Sequence, residues 1–190
     1  MKEIEIEFKN LLTEGEFTLL RRFLNIDESL FIKQENHYFD TPSFSLKGVG
    51  CALRIRYKNN KFMLTLKEPL SVGLLETNQV LTDEEADTMI SGGAEVPEGP
   101  VKEQLVALNI PTQQIVYFGT LTTIRAEKEF KNGLIVLDYS SYLNQTDYEV
   151  EYEVDNYEAG KEVFQNLLHE LKIPIRKTEN KIQRFYNAKY

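Results

Sequence analysis

Glu3, Glu5, Glu7 and Lys9 occupy alternate positions near the start of the chain, separated by Ile4, Ile6 and Phe8. In a β-strand this alternation puts three carboxylates and an ammonium on one face and apolar side chains on the other. The pattern recurs, sorted by sign. Arg54, Arg56 and Lys58 alternate with Leu53, Ile55 and Tyr57, and Lys61, Thr65 and Lys67 share a face in the next run. Arg125 falls on the same side as Glu127 and Glu129, while Glu149, Glu151 and Glu153 oppose Val150, Tyr152 and Val154.

A wet face on an open antiparallel sheet accounts for any one of these strands. The set asks for more. Glutamates at i, i+2 and i+4 repel one another by about a few tenths of a kcal/mol unless a positive group intervenes. Two acidic runs, with Arg and Lys clustered on the strands between them, point to opposite signs meeting across a space. Carboxylates grouped without His or Cys are hard oxygen ligands suited to Mg²⁺, Mn²⁺ or Ca²⁺. Arg and Lys suit phosphate oxygens, with Arg able to bind them bidentately. A polyphosphate bridged by divalent cations satisfies both groups, with the metal polarising phosphoryl oxygens and activating water for in-line attack. "KGVG" (47–50) is too short for a P-loop and reads as a turn.

The elements that must position these residues are mostly strands. Alternating runs cover 3–9, 37–41, 52–58, 61–67, 74–81, 123–130, 134–138 and 147–154. "YKNNKF" and "FKNGLI" place short Asn-containing turns between neighbouring runs, as in antiparallel hairpins. Helix signals fall between them. Thr13 with Glu16, and Thr82 with Glu85, have capping-box spacing ahead of apolar residues at helical period. Pro100 opens a further helix, and Asp155 and Glu158 precede the stripe Phe164, Leu167, Leu168 and Leu171. "SGGAEVPEGP" (91–100) reads as a surface loop, and the C-terminal "NAKY" is expected to fray. The fold class is α+β. If helices cover the apolar faces and the sheet curls closed, the charged faces line the interior.

At 190 residues and 42% hydrophobic, the chain fits one domain spanning 1–190. It has no long apolar run and no basic leader followed by an apolar stretch, so a cytoplasmic protein without a membrane partner is expected. A net charge of −8 argues against nucleic acid. One cysteine, Cys51, excludes an intramolecular disulfide, and with only His37 and His169 beside it a zinc cluster is not expected. His37 reads as a packing or hydrogen-bonding residue, and Asp40 in "YFDT" as a capping one.

The ordered set of motifs resembles the CYTH superfamily, the triphosphate tunnel metalloenzymes. Its hallmark ExExK strand matches Glu5, Glu7 and Lys9, followed by "YFDT" (38–41), "LRIR" (53–56), "LTLK" (64–67), Glu76, "TIR" (123–125), "LD" (137–138), "YEVE" (148–151) and a late lysine in "IRKTENK". The resemblance implies a closed eight-stranded antiparallel β-barrel, a tunnel with helices packed on the outside. It implies Mg²⁺ or Mn²⁺, one or two ions, and a small-molecule triphosphate substrate. Inorganic triphosphate or thiamine triphosphate would be hydrolysed; alternatives are cyclic AMP formation from ATP, or a non-catalytic polyphosphate- or nucleotide-binding module. Carried over residue by residue, Glu5, Glu7, Glu76, Asp138, Glu149 and Glu151 would serve the metal, with orienting a basic residue as the alternative role of Glu76. Lys9, Arg54, Arg56, Lys67, Arg125 and Lys177 would grip phosphate, with Lys9, Glu5 and Glu7 at the catalytic centre. Glu151 with Glu153 is the alternative metal pair, Lys181 competes with Lys177, and Arg184 is a further tunnel candidate. Asp138 shares its parity with Leu134 and Val136, so a bulge or strand end is expected to turn it inward. A monomer or homodimer is expected.

Overall fold

The computed structural model describes residues 1–92 and 95–189. Gly93 and Ala94 of the expected 91–100 loop, and the terminal Tyr190, lie outside the described residues. Eight strands form: β1 (Lys2–Leu12), β2 (Ile32–Asp40), β3 (Ala52–Lys58), β4 (Lys61–Pro69), β5 (Leu74–Leu81), β6 (Val116–Phe130), β7 (Gly133–Tyr142) and β8 (Gln145–Val154). The helices are α1 (Glu14–Phe23), α2 (Ser45–Gly48), α3 (Asp83–Ile90), α4 (Pro100–Ala107), α5 (Tyr157–Glu170) and α6 (Lys181–Lys189). The hydrogen-bonded strand order β1-β5-β4-β3-β2-β6-β7-β8 returns to β1, so the sheet closes into the expected antiparallel barrel.

The chain divides into two compact units. The first comprises Met1–Ile4 and Gln34–Leu121, the second Glu5–Lys33 and Thr122–Tyr190. Each has its own apolar core. In the first, Leu53, Ile55, Leu64 and Leu66 pack with Ala86 and Met89 of α3 and Val101 and Leu105 of α4. Asn59 and Asn60, both at positive φ, close the β3–β4 hairpin, as its expected turn requires. In the second, Ile135, Leu137, Val150 and Tyr152 pack with Leu20 and Leu24 near α1 and with Phe164, Leu167 and Leu168 of α5. Phe8 joins this core, whereas Ile4, on the same strand face, is 66% exposed.

Local signals set the helix starts. Both capping boxes form, Thr13 with Glu16 and Thr82 with Glu85, each contributing about 1 kcal/mol. Pro100 begins α4, and α5 is capped by Asn156, whose side chain accepts from the Ala159 amide. The C-terminal stretch is helical through Lys189 instead of frayed: Asn180 accepts from the Gln183 amide, and Ile182, Phe185 and Tyr186 are buried. Among the described residues, no helix is long and apolar enough to cross a membrane.

Candidate functional site

In the second unit, strand register decides which charges meet. Along the β1–β8 ladder Glu7 lies opposite Glu153, and Lys9 opposite Glu151. Carboxylate oxygens of Glu5, Glu7 and Glu153 consequently come within 4.8 Å of one another. Burial pushes the Glu153 carboxyl up to about 7, with Glu151, Glu5 and Glu7 adding to it against the pull of Arg125. Three half-buried carboxylates held this close form a hard-oxygen donor set, and a divalent cation would relieve their repulsion. These residues fit a metal such as Mg²⁺ or Mn²⁺. Beside them Lys9 pairs with Glu7. Burial opposes its charge, but Glu7, Glu151 and Glu149 raise it above an ordinary lysine, so it stays protonated.

The other acids expected at the metal are committed to cations. Arg125 donates from Nε and Nη2 to both oxygens of Asp138, at 2.8 and 2.6 Å, and from Nη2 to Glu151 at 2.7 Å. Lys181 Nζ lies 2.8 Å from Asp138 Oδ2, 3.2 Å from Glu149 Oε2 and 2.5 Å from Glu151 Oε1. Arg184 pairs with Glu149 and, at 2.9 Å, with Asp147. Despite burial, Lys181, Arg125 and Lys9 hold Glu151 well below the carboxylate range, and Arg125 and Lys181 lower Asp138. Burial instead raises Glu149, against the pull of Lys181.

Five of the six expected metal acids divide here, Glu76 being in the first unit. Glu5 and Glu7 meet Glu153; Asp138, Glu149 and Glu151 form a buried ion-pair network with Arg125, Lys181 and Arg184. The late lysine in this network is Lys181, while Lys177 is exposed on the segment before α6. Nor does Asp138 need a bulge. It pairs in unbroken register with Arg125 on β6 and Glu149 on β8, and buried Val136 shares its face as an apolar spacer.

What carries Lys181 inward is the chain before α6. Buried Asn10 accepts from the Arg176 amide at 2.6 Å and donates to the Pro174 carbonyl at 3.0 Å. Arg176 in turn clamps Glu16 of α1 through two contacts, at 2.8 and 2.9 Å. Asn10 lies just past the ExExK match, and its amide offers both the donor and the acceptor this staple needs.

The first unit holds the basic strand. Arg54 and Arg56 share the β3 face opposite its core, and Asn36 Oδ1 accepts from Arg56 Nε at 3.0 Å. Lys67 lies opposite Glu76 and pairs with it at 2.5 Å, so Glu76 orients a base here. Thr65 donates to Asn78, which donates to Glu3 at 2.7 Å, giving the first acid of the chain a local role. His37 hydrogen-bonds Thr120 at 2.7 Å, and Asp40 accepts from the amides of Thr41, Leu46 and Lys47, so both hold structure in place. Asn36 on β2 carries no readable signal in the sequence, because Gln34, Glu35, Asn36 and His37 are four polar residues in a row without apolar alternation.

The family model of the CYTH domain matches residues 3–186. The chain belongs to the CYTH domain family. This CYTH protein is 55% identical over 188 residues to YjbK of Bacillus subtilis (strain 168), whose name proposes a triphosphatase; the match covers 99% of the chain and 97% of YjbK. A Bacillus halodurans crystal structure, bh2851, whose name proposes an adenylate cyclase, is 45% identical with a TM-score of 0.93, covering 97% of this chain and 98% of that one. HpAC1 from Hippeastrum, described as having a dominant triphosphatase activity, shares the fold at 24% identity and TM-score 0.81, covering 99% and 96% of the two chains.

Proposed function

We propose that this CYTH protein is a divalent-metal-dependent triphosphatase acting on inorganic triphosphate or on an organic triphosphate such as thiamine triphosphate. The observation that carries this reading is the Glu5–Glu7–Glu153 carboxylate cluster beside a protonated Lys9. The name of YjbK supports it at 55% identity. Mg²⁺ or Mn²⁺ held by Glu5, Glu7 and Glu153 would supply Lewis-acid polarisation of a phosphoryl oxygen. Lys9 presents a fixed positive charge to oxygens that gain charge as the phosphoanhydride bond breaks. Within the first unit, Arg54, Arg56 and Lys67 are the bases suited to phosphate oxygens, Arg56 oriented by Asn36 and Lys67 by Glu76. Arg125 and Lys181 lie on the same sheet face as this cluster and, paired with Asp138, Glu149 and Glu151, tie β6 and α6 to β7 and β8.

The test is a substrate panel of tripolyphosphate, thiamine triphosphate, ATP and pyrophosphate under Mg²⁺ and under Mn²⁺. Phosphate release from at least one triphosphate, with pyrophosphate turned over poorly, is expected. Cyclic AMP as the main product from ATP would overturn the reading in favour of a cyclase. Tight binding without turnover across metals and pH would make the protein a binding module.

A further inference from the structure

A cavity of about 340 Å³ opens on the second unit where α1 meets the sheet. Its floor is one cross-strand row, Ile124 opposite Tyr139 and Tyr139 opposite Tyr148. Phe17 of α1 stands over this row with its ring centroid 5.1 Å from that of Tyr148, and Phe31 continues the wall 5.9 Å from Phe17. Mid-strand Ile124 remains 36% exposed, so the chain's own core leaves this floor open.

The rim is acidic. Glu14 and Glu28 line the cavity with Arg21, whose Nη1 lies 2.8 Å from Glu28 Oε1. One base against two acids leaves the surroundings net negative. Aromatic ring faces add negative potential of their own. Glu14 lines the cavity beside Tyr148, and burial and then the Glu14 carboxylate raise the Tyr148 hydroxyl, so Glu14 stands at the hydroxyl edge of the aromatic floor.

We propose that this cavity is a binding site for an organic cation: an ammonium group on one apolar ring, the ring lying on Tyr139 and Tyr148 and the charge facing Glu14. The volume suits one such ring with a short side chain. Anions are disfavoured by the rim, which separates this site chemically from one for triphosphate. The floor residues Ile124, Tyr139 and Tyr148 are each adjacent in sequence to Arg125, Asp138 and Glu149, so the site lies on the reverse face of the buried ion-pair row.

Three probes of one skeleton test it by NMR titration of the full chain: phenethylammonium, 2-phenylethanol and phenylacetate. The cation is expected to bind saturably, shifting Ile124, Tyr139 and Tyr148 resonances, at least about fivefold tighter than the alcohol. Phenylacetate should bind weakest. Glu14→Gln should weaken the cation at least about threefold while leaving alcohol binding and triphosphate turnover within about twofold. Equal binding of cation and alcohol, cation affinity unchanged by Glu14→Gln, or shifts centred elsewhere would overturn the proposal.

Discussion

Lys181 Nζ lies 2.5 Å from Glu151 Oε1, an ion pair joining the last helix to β8. The same ammonium touches Asp138 and Glu149, so its removal leaves three buried carboxylates with less compensation than burial demands. Breaking a buried ion pair from one side costs about 3–5 kcal/mol. Lys181→Met should therefore lower urea-unfolding stability by about that amount. Lys177→Met, at an exposed position, should change it by no more than about 0.5 kcal/mol. Equal effects of the two substitutions would contradict the assignment of Lys181 to the network.

Asp138 gives the acid limb of stability a specific origin. Burial opposes its charge, but Arg125 and Lys181 together leave its folded carboxyl below the ordinary value. A depressed carboxyl contributes stability above its unfolded pKa, about 3.9, and that contribution is lost as pH falls through the lower folded value. The stability gap between the natural chain and Asp138→Asn should be full at neutral pH and shrink below about pH 4. Chemical denaturation at pH 7, 5, 4 and 3 reads this directly. A gap that widened on acidification would have the wrong sign.

Gly160 permits the close seating of α5 on the second unit's sheet. A Cβ there would lie 2.5 Å from Val154 Cγ2 and 3.0 Å from Phe8 Cε2. Alanine gains about 1 kcal/mol of helix propensity over glycine, but overpacking costs about 1–3 kcal/mol. At 2.5 Å the clash wins, because both neighbours are themselves packed in the core. Gly160→Ala should destabilise by about 1 kcal/mol or more in thermal or urea unfolding, and an unchanged midpoint would refute this packing.

Asn36 and Arg56 make a graded pair for ligand binding. Arg56→Ala should cost about 2 kcal/mol of triphosphate affinity, since a charged phosphate contact is lost. Asn36→Ala should cost about 1 kcal/mol, because the guanidinium remains and only its orienting bond at 3.0 Å is removed. Calorimetry with tripolyphosphate under Ca²⁺ measures both. Unchanged affinity in Arg56→Ala would mean that its face is merely solvated.

These residues also show where sequence reading stops. Strand alternation is local, so the faces carrying Glu5, Glu7, Lys9, Arg54, Arg56 and Glu151 follow from residue order alone. Which acids meet does not. The partner of Glu7 among Glu149, Glu151 and Glu153 depends on the β1–β8 register, a pairing across more than half the chain. Lys181 and Lys177 look alike in sequence, and only the Asn10 staple and the start of α6 distinguish them. Asn180 followed by Ile182, Phe185 and Tyr186 is a helix signal, but a short one at the end of the chain. Asp138 illustrates the reverse case: apolar Val136 on its face suggests a break in alternation, whereas the inner surface simply admits a valine.

Phosphate release from tripolyphosphate, comparing the natural chain with Glu153→Gln, Mg²⁺ or Mn²⁺ with chelator, tests the central claim most directly. Metal-dependent turnover that chelator stops, and that Glu153→Gln lowers by at least about tenfold in a folded protein, is the predicted result. Turnover indifferent to chelator, no turnover by folded metal-loaded protein, or a full rate in Glu153→Gln would contradict it.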